Sequence, residues 1–260
     1  MTYTLVLMRH GESQWNVENK FTGWVDVPLT EKGIAEATEA GQNLAASGYE
    51  FDCAFTSFQK RAIKTCFITL EATDSLFVPV QKSWKLNERM YGNLQGMNKG
   101  ESVETYGADK VLIWRRSFDV PPPNMEDPNH PYNPAKERKY ASIPKEELPT
   151  TECLKDCIER VVPYWENDIV PAIKSGKRVL IAAHGNSLRG LVKYLDDISE
   201  DDILKLNIPT GVALVYTLDE NMKPITAEGQ PYAPLKGSYL GDVADIQGRI
   251  NGVANQTAKK

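Results

Sequence analysis

Tyr3-Thr4-Leu5-Val6-Leu7-Met8-Arg9-His10-Gly11-Glu12, read beside Val179-Leu180-Ile181-Ala182-Ala183-His184-Gly185-Asn186, decides the fold. Each segment is a short apolar run ending in His-Gly, and a run of this kind predicts a strand buried on both faces. Each His-Gly then begins the turn at a strand's carboxyl end, where open parallel α/β sheets place their ligands. The chain holds three histidines in 260 residues. Two of them in matching frames suggest side chains that meet over one substrate. Two histidines merely satisfied at strand ends would explain the same frames, so the surrounding residues must decide.

Outward from these strands, Thr30 is a good N-cap for a helix ending before Gly48, with Ile34, Ala37, Gly41 and Leu44 at helical spacing. Cys53 to Thr56 predicts a strand, Ser57 begins a helix carrying Lys60, Arg61 and Lys64, and Phe77 to Val80 predicts a third strand shortly before Glu88-Arg89. Two short helical pieces, near 101–107 and 109–117, precede a proline-rich run from Pro121 to Pro149 that can build neither helix nor central strand. We read it as a long irregular excursion over the surface, either a plain insertion or a functional loop. Leu154, Ile158, Val161, Trp165, Ile169 and Ile173 form one apolar stripe, kinked or restarted at Pro163. A helix from Ser187 and a strand from Val212 to Leu218 follow. Alternating strands and helices predict an α/β fold, a three-layer sandwich with a mostly parallel central sheet flanked by helices. The expected organisation is a single domain over 1–242, with the irregular insertion at about 118–150, then a flexible carboxyl-terminal arm over 243–260.

Net charge is −5, which argues against nucleic acid or an anionic membrane as the general partner. No apolar stretch approaches transmembrane length, and the amino terminus shows no basic-then-apolar leader pattern. Cys53, Cys66, Cys153 and Cys157 have neither CxxC nor metal spacing and read as buried reduced thiols, so a cytoplasmic address is expected.

Arg9 beside His10 is no core residue: an arginine at the end of a buried strand needs an anion, from the protein or from a substrate. A histidine nucleophile must be neutral at one ring nitrogen, and neighbouring cations disfavour imidazolium. A guanidinium beside a neutral imidazole suits attack on a phosphoryl group, the arginine neutralising oxygens while the ring nitrogen approaches in line. His10, His184 and Glu88 could instead bind zinc. Arg9 next to one of those ligands would repel a divalent ion, and no HxxxH spacing exists, so no metal is expected. The P-loop and Rossmann fingerprints are absent.

Arg9-His10-Gly11-Glu12-Ser13-Gln14-Trp15-Asn16, with Ala183-His184-Gly185-Asn186-Ser187, resembles the histidine phosphatase superfamily, and more narrowly its cofactor-dependent phosphoglycerate mutases. The resemblance runs on through Phe21-Thr22-Gly23-Trp24, Thr56-Ser57 with Arg61-Ala62, Glu88-Arg89-Met90-Tyr91-Gly92, Leu94-Gln95-Gly96-Met97-Asn98-Lys99, Trp114-Arg115-Arg116-Ser117 and Tyr239-Leu240-Gly241-Asp242. The histidine frames are shared by many phosphatases; Lys99, Arg115-Arg116 and the insertion are more specific to mutases. The resemblance implies a phosphoglycerate mutase-like fold. His10 would carry the phosphoryl group through Nε2, while Arg9, Arg61 and His184 would surround that group. Glu88 would donate and accept the substrate's proton. Arg89, Tyr91, Lys99, Arg115, Arg116 and Asn186 would hold the distal phosphate and carboxylate, with Ser13, Asn16, Thr22 and Gly23 lining the wall and Gly185 also binding substrate.

It further implies interconversion of 3-phosphoglycerate and 2-phosphoglycerate, primed by 2,3-bisphosphoglycerate without metal. The implied partners are small phosphoglycerates, and relatives suggest a homodimer or homotetramer. A bisphosphorylated acid carries roughly −4 to −5 charges, and Arg9, Arg61, Arg89, Lys99, Arg115 and Arg116 supply a matching number of cations. Met90 departs from the family's usual histidine, and Phe58-Gln59-Lys60 from its usual run before Arg61. The alternatives are a bisphosphoglycerate synthase or broad phosphatase, and a non-catalytic phospholigand-binding protein, which should have lost His10, Glu88 or His184. The insertion and the segment Val253-Ala254-Asn255-Gln256 with the closing lysines are candidates to cover the pocket.

Overall fold

The first strand, β1 (Tyr3–Arg9), is buried over its last five residues, and in the computed structural model, which describes residues 1–226, 228–229 and 232–254, it is followed by a single helical turn, α1 (Gln14–Val17). Helix α2 (Glu31–Ala46) starts where the Thr30 hydroxyl accepts from the Gly33 N–H at 3.0 Å. Strand β2 (Cys53–Thr56), helix α3 (Lys60–Ala72) and strand β3 (Val80–Lys82) come next. Helices α4 (Lys99–Tyr106) and α5 (Ala108–Arg116) meet at Gly107, whose φ of 87° makes the turn between them. Helix α6 (Leu154–Tyr164) runs through a π turn at Trp165–Ile169 into α7 (Val170–Lys174). Strand β4 (Val179–Ala183), helices α8 (Gly185–Asp196) and α9 (Glu200–Ile203), strands β5 (Ala213–Leu218), β6 (Pro224–Ile225) and β7 (Ser238–Leu240), and helix α10 (Val243–Ala254) complete the order.

The sheet runs β3-β2-β4-β1-β5-β6, with β7 beside β6 on the outer edge of β5. Strands β1 to β4 pair in parallel; β5 pairs antiparallel with β1, β6 and β7. The sheet is therefore mixed: a parallel centre, as expected, with one reversed strand that the sequence reading did not anticipate. Successive strand residues face opposite sides, and β1 shows the consequence. Leu5 and Leu7 enter a core shared with α6, α8 and Ile246 of α10, while Val6 and Met8 enter a second core under α2 and α3. That is an α/β fold with a mixed central sheet between two helical layers.

Several boundaries move for identifiable reasons. Helix α3 begins at Lys60 rather than Ser57, because the Ser57 hydroxyl accepts from the Gln59 N–H and pairs with the His184 ring. The third strand lies at Val80–Lys82 rather than Phe77–Val80; Phe77 is 86% exposed, so its apolar character marked no buried strand. Helix α8 starts two residues before Ser187, directly after His184. The break after Pro163 is a π turn one residue beyond Tyr164. Ile34 is exposed, and the buried stripe of α2 is Ala37, Ala40, Gly41 and Leu44.

The insertion is irregular, with short 3₁₀ turns at Pro134–Lys136, Arg138–Tyr140 and Lys145–Glu147. It does not merely cross the surface: Met125, Tyr140 and Leu148 bury against Trp24 and Met90, and the Tyr140 hydroxyl accepts from Asn87 Nδ2. Near the carboxyl end, β7 pairs with β5, and within the expected arm over 243–260 Ile246 of α10 is buried in the larger core. Residues 255–260 of the expected arm lie outside the described residues. All four cysteines are free and buried.

Candidate active site

Strands β1 and β4 pair with Arg9 opposite Ala183, so the next residues, His10 and His184, leave the sheet side by side. The His10 N–H donates to the Ala183 carbonyl at 3.0 Å. The two rings are buried, 5.0 Å apart and inclined at 61°. The turn after His10 presses onto α2: a Cβ at Gly11 would stand 2.1 Å from the Gly33 carbonyl oxygen, and one at Gly33 2.0 Å from that of Glu12. Only two facing glycines allow that approach.

The hydrogen bonds of His10 fix its tautomer. Nδ1 lies 2.7 Å from the Gly11 carbonyl oxygen, which can only accept, so Nδ1 carries the proton. Arg61 Nε donates to Nε2 at 3.3 Å, which requires a lone pair there. Burial, then Arg61 and Arg9, push the imidazole pKa well below its usual value. His10 is therefore neutral, with Nε2 available as a nucleophile. Arg61 is itself held by the Val25 and Gly23 carbonyls, each at 2.9 Å. Gly23 has a φ of 51°, and a Cβ there would meet Gln95 Oε1. Arg9 donates to the Ile208 carbonyl at 2.6 Å.

Among the described residues, Glu88 is the only acid lining the cavity. Its Oε1 accepts from the backbone N–H groups of Arg89 at 2.7 Å and Asn186 at 3.1 Å, and its own N–H donates to Gln59 Oε1 at 2.8 Å. Its carbonyl accepts from Trp24 Nε1 and Arg160 Nη2. Arg160, on α6, also donates to the Lys85 and Asn87 carbonyls and pairs through two nitrogens with Glu152, at 2.6 and 2.9 Å. Glu152 in turn accepts from the Met90 N–H at 2.8 Å. This buried network pins residues 85–90, and two backbone N–H groups hold the Glu88 carboxylate.

The far end of the cavity is built by α4 and α5, which bring Lys99, Arg115 and Arg116. Burial, followed by Arg115 and Arg9, lowers the Lys99 pKa to about 7; burial lowers that of Arg115 to about 10. Arg116 donates to Asn207 Oδ1 at 2.9 Å. The cleft has a free volume of about 90 Å³. Among the described residues, Arg9, Lys20, Arg61, Lys99, Arg115, Arg116 and Arg189 face one carboxylate across it, which makes it suited to an anion in a chain of net charge −5.

The structure brings together Arg9, His10, Ser13, Asn16, Thr22, Gly23, Arg61, Glu88, Tyr91, Lys99, Arg115, Arg116, Gly185 and Asn186 around this cleft. Ser13 and Asn16 are tied to each other, the Ser13 N–H and hydroxyl both donating to Asn16 Oδ1 at 2.9 Å. Two expected residues do not line it. His184 sits behind His10 with Nε2 at 2.8 Å from Ser57 Oγ. Arg89 faces away, donating to the Trp114 and Arg115 carbonyls at 3.1 Å and stacking over Tyr91 at 4.4 Å; it braces the end of α5 instead of offering itself to a ligand. The sequence reading gave no site role to Lys20, Phe21, Arg189, Asn207 or Ile208, which also line the cleft. Arg189 was discoverable, three residues after Asn186 on one helical face. Asn207 carried no local signal, whereas Val253, which lines the cleft, begins the segment expected to cover it. Among the described residues, no group of three His, Cys, Asp or Glu side chains could hold a metal ion.

A parallel-centred α/β sheet with a neutral histidine and clustered arginines at its carboxyl edge defines a phosphoryl-handling enzyme. The chain belongs to the histidine phosphatase superfamily (branch 1), whose family description matches residues 5–137. Among solved structures, a mycobacterial hydrolase, "Mycobacterial hydrolase 1", is 19% identical, covering 86% of this chain and 96% of its own, with a TM-score of 0.66. A phosphoglycerate mutase from Bacillus anthracis str. Sterne is 21% identical over 98% of this chain and 96% of its own, TM-score 0.59. A mycobacterial glucosyl-3-phosphoglycerate phosphatase is 18% identical over 86% of this chain and 93% of its own, TM-score 0.63. At such identities these similarities concern the fold. No helix among the described residues is long and apolar enough to cross a membrane.

Proposed function

We propose that this enzyme is a cofactor-dependent phosphoglycerate mutase that interconverts 3-phosphoglycerate and 2-phosphoglycerate in the cytoplasm, with His10 as phosphoryl carrier and no metal. The observation that carries the reading is the division of one cleft into two cationic ends. One end surrounds His10 Nε2; the other, from α4 and α5, brings Lys99, Arg115 and Arg116, the charge that a second acidic group calls for. A simple phosphomonoesterase needs only the first. The seven lining cations suit 2,3-bisphosphoglycerate, with roughly −4 to −5 charges, which would supply the phosphoryl group that primes His10.

With His10 phosphorylated on Nε2, the substrate's free hydroxyl oxygen attacks phosphorus, the P–N bond breaks as the new P–O bond forms, and Glu88 takes the hydroxyl proton. In the return step Nε2 attacks the other phosphoryl group, the P–O bond breaks, and Glu88 returns its proton to the departing oxygen. Arg9 and Arg61 neutralise the equatorial oxygens in both directions. His184, steadied by Ser57, backs the transferring group. Lys99, Arg115 and Arg116 hold the distal acid while the ligand reorients. Val253 of α10 lines the cleft and makes that helix part of its cover; Asn255, Gln256 and the closing lysines, expected to share that role, lie outside the described residues.

The test is mutase activity with and without added 2,3-bisphosphoglycerate, in the presence of a chelator. Dependence on the primer and indifference to the chelator are expected. Hydrolysis of phosphoglycerates without isomerisation would replace the mutase by a phosphatase, and loss of activity to the chelator would remove the metal-free mechanism.

A further inference from the structure

Arg189 lines the cleft but takes no part in the transfer just described. It lies on α8, one turn from Asn186. Its Nη1 donates to Asn186 Oδ1 at 3.0 Å, and its Nη2 to the Ile203 carbonyl at 2.5 Å. A guanidinium only donates, so the Asn186 atom facing it must be the carbonyl oxygen. That choice turns Asn186 Nδ2 towards the Tyr91 hydroxyl, 3.3 Å away, on the cleft wall. Arg189 is buried, both of its terminal nitrogens are tied to neutral carbonyl oxygens, and among the described residues it forms no ion pair. Burial, then Arg116 and Arg89, lower its pKa to about 9, which places it among the cations of the distal end. A buried guanidinium with no carboxylate beside it is unfavourable in an empty site, and an anion in the cleft that Arg189 lines offsets that charge.

We propose that Arg189 is a specificity-determining residue that recognises, with Asn186, the acidic group remote from the phosphoryl ester presented to His10. Its ligand class is a doubly anionic phosphoester whose second group is a carboxylate or phosphate. The inference rests on the proposed function only for the end at which the reacting ester sits.

The test compares 3-phosphoglycerate with glycerol 3-phosphate, which carries a hydroxymethyl group where the former has its carboxylate, by calorimetric Kd on the full chain. Wild type should favour 3-phosphoglycerate at least about tenfold. Arg189→Met should reduce that preference about tenfold, and Arg189→Lys, which keeps the charge but not the fork, about threefold. A merely structural role weakens both ligands together and leaves the ratio unchanged. An unchanged ratio in both variants overturns the proposal, as does a wild type that does not discriminate. If Arg189→Met fails to fold, the Arg189→Lys ratio decides alone. Failure of the mutase reading would register separately, as wild-type protein that forms no 2-phosphoglycerate whatever the Kd ratio.

Discussion

The two ends of the cleft are made by different means. The end around His10 is set by the sheet: Arg9 and His10 leave β1, His184 leaves β4 in register, and Arg61 is tied to backbone carbonyls. The distal end comes from α4, α5 and the start of α8, outside the sheet, with long side chains reaching inward. Chemistry that must be placed to a fraction of an ångström is built on paired strands; recognition of a second charge is left to longer, adaptable side chains. Their electrostatics differ as well. At the first end burial and cations keep a nucleophile neutral, while at the second the same burial brings a lysine to about pH 7.

The largest expected effect falls at the sheet-built end. His10→Ala should abolish acid-labile labelling from bisphosphoglycerate and lower turnover by about four orders of magnitude or more; retained labelling would mean another residue carries the phosphoryl group. Next, Glu88→Gln keeps the shape and the contact to the Asn186 N–H but removes the proton acceptor, so kcat should fall about 10²- to 10⁴-fold with little change in KM. A rise in KM at constant kcat would move Glu88 from chemistry to binding.

Arg160→Met leaves Glu152 buried without its partner and should cost about 3–5 kcal/mol of stability, read as a lowered denaturant midpoint. The distal cations stand on other elements, so in protein that remains folded catalysis should suffer more than affinity. The smallest effect belongs to the distal end. Lys99 is cationic below about pH 7 and loses its charge above it, so KM for 3-phosphoglycerate should rise several-fold from pH 6 to pH 8. Lys99→Arg stays charged throughout and should flatten the difference. Equal slopes in both proteins would remove Lys99 from the second anion site.

What the sequence disclosed divides along the same line. The strands bearing Arg9-His10 and Ala183-His184 were legible because continuous apolar burial leaves a pattern, and a charged residue at its end has no structural excuse. Reversal of β5 was not legible, since a buried strand has the same composition in either direction. Arg89 was assigned to the ligand by its adjacency to Glu88 in a matched motif, yet its side chain turns back to the carbonyls at the end of α5. The carboxyl-terminal helix is held by Ile246 in a core assembled from distant parts of the chain and by Arg249 pairing with Glu39. Periodicity within the last 40 residues could not reveal either contact.

The central claim is that His10 acts through Nε2 because Nδ1 is committed to the Gly11 carbonyl. It is tested most directly by phosphorus NMR of the denatured, bisphosphoglycerate-treated enzyme, which separates the two phosphohistidine isomers. The geometry predicts phosphate on Nε2 of His10. Phosphate on Nδ1, or an enzyme that turns over without any phosphohistidine, would contradict it.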